Sequence, residues 1–207
     1  MIKKKGLLLV ISGPSGAGKG TVCKELLKRN PEFKLSVSAT TRAPREGEVD
    51  GESYFFLTKE KFSEMIGQGG FLEYAQIYSN FYGTPKGPVM KYLEEGSDVI
   101  LEIEMQGARQ VKEMYPEAVL IFVLPPSLEE LRNRLTTRGT ETEEQVNERL
   151  STSLEEIKQV KDYNYFIFNE NNKTTESAKI IEDIIVAEKN KASRYEKAII
   201  KKFEEEL

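Results

Sequence analysis

Gly13-Pro14-Ser15-Gly16-Ala17-Gly18-Lys19-Gly20-Thr21 is a run whose residue types and spacing suit a polyphosphate. Glycines let successive backbone N–H groups turn toward one anion, a helix start adds positive potential, and Lys19 can reach the β- and γ-phosphates. Such a loop works only between a buried strand and a helix. The apolar run LLLVIS over residues 7 to 12, bounded by Gly6 and Gly13, predicts the strand. Lys19 to Arg29 predicts the helix, with Val22, Cys23, Leu26 and Leu27 on one face and Asn30-Pro31 as its stop. The hydroxyl that usually follows the lysine and ligates Mg²⁺ is replaced by Gly20, and comes one place later at Thr21.

Two further groupings carry charge suited to the same chemistry. Arg42 and Arg45 flank Pro44 in a turn, where two guanidiniums can grip a phosphate monoester through bidentate bonds. Glu102 and Glu104 are two apart in VILEIEM (99 to 105), so both are expected on one face at the ligand-binding end of a buried strand. A cation, a donor or water must accompany them there, and simple solvation of a strand end is the alternative.

Composition narrows the choice. The chain has 207 residues and no histidine, which excludes Ser-His-Asp hydrolysis, His-ligated zinc and imidazole acid/base catalysis. Net charge is −4, without the broad basic footprint of sequence-independent nucleic-acid binding, so positive charge in a site must be locally clustered, which leaves small anions open as ligands. Cys23 is the single cysteine, compatible with a reducing compartment, and the cytoplasm is the expected location. The apolar run after the basic start is short for a signal peptide, and no stretch approaches the roughly 20 apolar residues that span a bilayer.

The remaining elements follow from patterning. AVLIFVL (118 to 124) and YFIFN (165 to 169) read as further buried strands, and alternation with helices predicts a parallel α/β sheet. Between residues 35 and 85, turn signals separate short aromatic-rich segments, which predicts a β-rich insertion with one helix near 59 to 67. Over 127 to 161, Ser127 with Glu130 and Thr142 with Gln145 have capping-box spacing, and Val146, Leu150, Leu154, Ile157 and Val160 recur at helical intervals. One long helix is expected from about Thr175 to the end, its charged part from Lys189 projecting past the core.

The run from Ser36 to Tyr54, FLEYAQIYSNFYGTP, LEIEMQG (101 to 107), PPSLEELRNRL and RGTETEE (138 to 144) together resemble the guanylate kinase family, in its order and spacing, from residue 6 to about 187. The resemblance implies a parallel-sheet P-loop kinase core, a β-rich GMP-binding region over about 35 to 88 and a helical lid over about 127 to 161, with 188 to 207 a helical extension. It implies phosphoryl transfer from ATP to GMP, and to dGMP, within purine nucleotide metabolism, with Mg²⁺ held through water by Thr21 and Glu104.

Residue by residue, the resemblance puts Arg42, Arg45, Tyr54 and Tyr82 on the GMP phosphate, and Ser38, Glu73 and Thr84 near the guanine. A carboxylate can accept from guanine N1–H and its amine, whereas adenine offers the opposite pattern. Glu102 and Glu104 divide contact with GMP and support of Mg²⁺ between them. Arg134, Arg138 and Arg149 approach the ATP phosphates or adenine, and Asn169 lies near adenine. Lys19, Arg42, Arg138 and Arg149 are the catalytic set. Tyr74 stands where many relatives carry Trp. The Gly20-Thr21 order resembles adenylate kinases and leaves open a kinase for another monophosphate; a non-catalytic interaction module of the same fold would typically lack an intact phosphate loop.

Overall fold

A computed structural model describes residues 4–136 and 142–206. In chain order, β1 (Leu8–Ser12), α1 (Lys19–Arg29) and β2 (Lys34–Leu35) are followed by β3 (Ala39–Thr40), β4 (Phe55–Phe56), α2 (Lys59–Gly67), β5 (Phe71–Ile77) and β6 (Asn80–Pro85). Next come α3 (Lys86–Glu95), β7 (Val99–Glu102), α4 (Met105–Met114) and β8 (Val119–Leu124). The chain continues with α5 (Leu128–Thr136), α6 (Glu143–Ile157), a 3₁₀ turn at Lys158–Asp162, β9 (Tyr165–Phe168), α7 (Thr174–Lys189) and α8 (Ala192–Glu204).

β1 is buried at every position and lies at the centre of a parallel sheet of order β2-β7-β1-β8-β9. Its alternating side chains feed two cores. Leu9 and Ile11 pack with Val22 and Leu26 of α1 and Ile181 and Ile185 of α7, whereas Leu8 and Val10 pack with Val89 and Leu93 of α3 and Val111 of α4. Both faces are therefore covered, which is why β1 and β8 read as continuous apolar runs. With β7 on one side of β1 and β8 on the other, the loop leaving β1 emerges at the crevice where such sheets bind ligands.

Residues 39–85 build a second sheet of order β4-β3-β6-β5, its aromatic core centred on Phe62 of α2 stacked on Phe71. β5 and β6 are antiparallel, with an irregular register between Phe71 and Glu73 that sets Glu73 opposite Thr84.

Four expectations are corrected. β7 ends at Glu102, and Glu104 is the N-cap of α4, so the two carboxylates do not share a strand face. The apolar letters run on because Met105 is buried from the helix instead. Of the two capping boxes, only that of Thr142 and Gln145 closes; Ser127 caps the Glu130 N–H, but the Glu130 carboxylate takes the Arg134 guanidinium, a stronger partner than its own cap. The C-terminal helix is two helices. Glu188, almost fully buried, accepts from Tyr165, Lys191 and Arg194, and the chain turns after Asn190 to bring the last two over it. Along α6, Leu154 is exposed although the pattern placed it with buried Val146.

α8 buries no residue, so truncation after Tyr195 is expected to change the unfolding free energy by less than about 0.5 kcal/mol. Arg194→Ala strips the carboxylate of Glu188 of its closest cation and is expected to cost about 1.5–3 kcal/mol. Urea denaturation of the two variants checks this; equal costs would mean that Glu188 does not hold this corner together.

Candidate functional site

The loop between β1 and α1 turns its carbonyls inward onto donors supplied by the rest of the chain. Lys19 Nζ donates to the carbonyls of Gly13 at 2.7 Å and Pro14 at 3.3 Å, which spans its ammonium across the loop. The Ala17 carbonyl accepts from Asn169 Nδ2 at 2.9 Å and from Arg134 at 3.1 Å. Arg134 also bonds the Asn169 carbonyl, Asn171 Oδ1 and Glu130, so α5, the loop and the end of β9 are tied through one guanidinium. Ser15 Oγ accepts from Arg149 of α6 at 2.7 Å, and the pKa of Glu156, on the same helix, is pushed up by burial and then by Glu104. Gly16 lies inside the same loop and Gly18 opens α1.

Position 20 bears on the missing hydroxyl. A Cβ built on Gly20 would lie 3.2 Å from Glu102 Oε1, so glycine keeps open the space between the helix start and that carboxylate. Thr21, one residue further round the helix, is exposed, as is Glu104. Glu102 is also exposed overall, but partial desolvation of its carboxyl pushes its pKa up, opposed by Lys19 and reinforced by Glu104. Among the described residues no group of three or more His, Cys, Asp or Glu forms a ready-made metal cluster. Cys23 is buried, and burial pushes its thiol far up, away from any nucleophilic role.

Between β3 and β4, Arg42 stands with its guanidinium 5.4 Å from the ring centre of Tyr54 and beside Tyr82, whose ring meets that of Tyr54 edge-on at 6.3 Å. What aims it is Glu48: Arg42 donates to both carboxylate oxygens at 2.9 Å. The Arg45 N–H donates to the same carboxylate, whose pKa is held down to about 2 by Arg42 first and that backbone bond second. The Arg45 side chain itself is exposed. Spacing had singled out the two arginines but missed Glu48, although six residues from Arg42 and three from Arg45 in one turn was the available signal.

A pocket of about 240 Å³ between the two sheets is lined by Ser38, Tyr54, Thr84 and Glu102 among others. Beneath it Glu73 is 8% exposed, accepts from Thr84 Oγ1 at 2.6 Å, and lies against Gly107 of α4 so closely that a Cβ there would come within 2.8 Å of Oε2. Burial raises the pKa of Glu73, and the Thr84 bonds partly offset this. Thus the structure gathers Arg42, Tyr54 and Tyr82 at one point, Ser38, Thr84 and Glu73 around one pocket, and Arg134 with Asn169 behind the loop. Arg138 lies outside the described residues.

A family model described as guanylate kinase matches residues 5–188. Guanylate kinase of Clostridioides difficile (strain 630) is 70% identical over 207 residues, with 100% of each chain covered. That of Caldanaerobacter subterraneus subsp. tengcongensis is 53% identical over 206 residues, covering 100% of this chain and 99% of the relative. The crystal structure of guanylate kinase from Anaplasma phagocytophilum superposes with a TM-score of 0.71 at 36% identity, covering 92% of this chain and 90% of that one.

The raised pKa of Glu73 means that folding takes up a proton at this group between the ordinary carboxylate value and the folded one. Its contribution to stability is therefore fully present below the ordinary value and is lost as pH rises through the folded value. Glu73→Gln, neutral throughout, is expected to gain in melting temperature relative to the parent at pH 8, with the gain shrinking toward pH 4. Thermal melts at both pH values check this; a gain that is independent of pH would refute it.

Proposed function

The chain belongs to the guanylate kinase family, an ATP:GMP phosphotransferase family, and on that premise we propose how its residues divide the reaction ATP + GMP ⇌ ADP + GDP. The observation that carries the proposal is a phosphate loop with Lys19 across its mouth, in a chain that also holds an arginine by Glu48 beside two tyrosines. Lys19 and the loop amides receive the ATP phosphates, with Arg149 and Arg138 completing the charge screen from the helical region 127–161, read as a lid. Arg42, Arg45, Tyr54 and Tyr82 receive the phosphate of GMP. Ser38, Thr84 and Glu73 read the guanine: the carboxylate accepts from N1–H and the amine, and a hydroxyl donates to O6. On the ATP side, Asn169 Oδ1 is buried without a partner among the described residues and suits the exocyclic amine of adenine.

In the transfer, the bond from the γ-phosphorus to the β,γ-bridging oxygen breaks as an oxygen of the GMP phosphate attacks, and ADP departs. Positioning and charge neutralisation dominate such a step, so the absence of histidine is no handicap. Mg²⁺ suits this site on the same grounds: hard oxygen donors and the gap beside Gly20 fit a hydrated ion, with Glu102 nearest and Thr21 and Glu104 at the margin. When bound, it neutralises negative charge on the triphosphate. Expected surroundings are the cytoplasm and purine nucleotide metabolism; no helix of the described residues is long and apolar enough to cross a membrane.

A coupled assay of ADP formation with GMP, dGMP, AMP, CMP and UMP tests this reading. GMP and dGMP should be the good acceptors, and Lys19→Met should lower kcat by at least roughly 10²-fold, the scale of losing one preorganised charge donor. Near-normal turnover in the folded variant would refute the loop assignment. Because Glu48 aims Arg42 without itself facing substrate, Glu48→Gln is expected to raise the GMP KM about 3- to 10-fold, as for a partly exposed charge-assisted bond, and leave the ATP KM unchanged. Steady-state kinetics in both substrates check this; equal rises for both would mean general damage to the fold.

A further inference from the structure

A cavity of about 690 Å³ lies between α4 and the 3₁₀ turn Lys158–Asp162, sharing no residue with the phosphate loop or with the pocket of Ser38 and Thr84. Its volume is within the range of small-molecule sites. The floor is apolar, made by Met105, Ala108, Leu120 and the ring of Tyr163. The rim carries Arg109, Lys112, Lys158 and Lys161 against Glu113 and Asp162, an excess of two positive charges on a chain whose net charge is −4.

That excess is poorly neutralised. Arg109 reaches Asp162 only at 3.5 Å, with both side chains largely exposed. Lys112 donates to the Ala118 carbonyl at 2.7 Å, a neutral partner, and its pKa is lowered by burial and then by the neighbouring Arg194. Lys158 is paired with Glu155, and Lys161 has no hydrogen bond or ion pair among the described residues. An apolar floor beside Lys112 and Lys161, the rim cations without an ion pair among the described residues, matches a ring that bears one phosphate monoester, which carries about −1.5 to −2 at neutral pH.

We propose that this cavity is a second ligand site, which takes a small aromatic phosphate monoester with its ring on Tyr163 and Leu120 and its phosphate among Lys112, Lys158 and Lys161. One wall is the helix capped by Glu104, and the other is the segment joining α6 to β9, whose Tyr163 hydroxyl neighbours Ser12 at the entrance to the phosphate loop. A bound molecule therefore bridges the core to the base of α6.

Pyridoxal 5′-phosphate is a suitable probe: its aldehyde condenses with a lysine amine, releasing water, and borohydride reduces the imine to a stable amine that peptide mass spectrometry locates. Saturating ADP and GMP occupy the substrate cleft without turnover during labelling. Adducts are expected on Lys112, Lys158 or Lys161 at least about tenfold above those on exposed Lys91 and Lys197. Pyridoxal without the phosphate should lose that preference, and Lys161→Glu should reduce labelling of Lys158 and Lys112 at least about fivefold while ADP formation without the probe stays unchanged. Labelling spread over surface lysines, confined to Lys19, equally selective with pyridoxal, or indifferent to Lys161→Glu would overturn the proposal.

Discussion

A loop that turns its amides toward an anion must satisfy its own carbonyls elsewhere, because each buried carbonyl left unpaired is costly. Here the donors come from the whole length of the fold. Lys19 supplies the carbonyls of Gly13 and Pro14 locally, but the Ala17 carbonyl is met from 117 residues away by Arg134 and from 152 residues away by Asn169. The parallel sheet with β1 at its centre brings those distant donors to one edge. Strand order, helix placement and the geometry of nine loop residues are thus one problem with one solution.

The same economy governs charge. An acidic chain that handles polyanions must concentrate its cations, and concentrated cations repel each other unless carboxylates hold them apart. Glu48 does this for Arg42 while also taking the backbone N–H of Arg45, and Glu130 does it for Arg134. Glu130 meets Arg134 at Nε and leaves its two terminal nitrogens to the loop and the end of β9, whereas Glu48 grips Arg42 across both terminal nitrogens.

Legibility in the sequence tracked distance along the chain. The phosphate loop and α1 were readable to the residue, because Gly18 and Asn30-Pro31 mark both ends locally; α2 was equally clear. The end of β7 was not, since Ile103 and Met105 are apolar whether they continue a strand or start a buried helix. Nor was the break after Asn190, where nothing local interrupts helical propensity and the turn is imposed by Glu188 across 23 residues from Tyr165. Within the site, residue types were legible and partnerships were not. Arg42 and Glu73 could be picked out by type and family likeness, but Glu48 below the first and Gly107 beside the second needed the folded geometry.

The irregular register between Phe71 and Glu73 has a consequence for how this site can vary through descent. Phe71, Leu72 and Glu73 are all buried, in the aromatic core, in the main core and beside the pocket respectively, so three consecutive side chains face three destinations. Placement of the carboxylate beside the pocket is therefore stored in alignment as much as in identity: one codon gained or lost ahead of the bulge would put Leu72 or Tyr74 there instead. Lineages can explore position 73 by substitution, but the length of this short segment is closed to them.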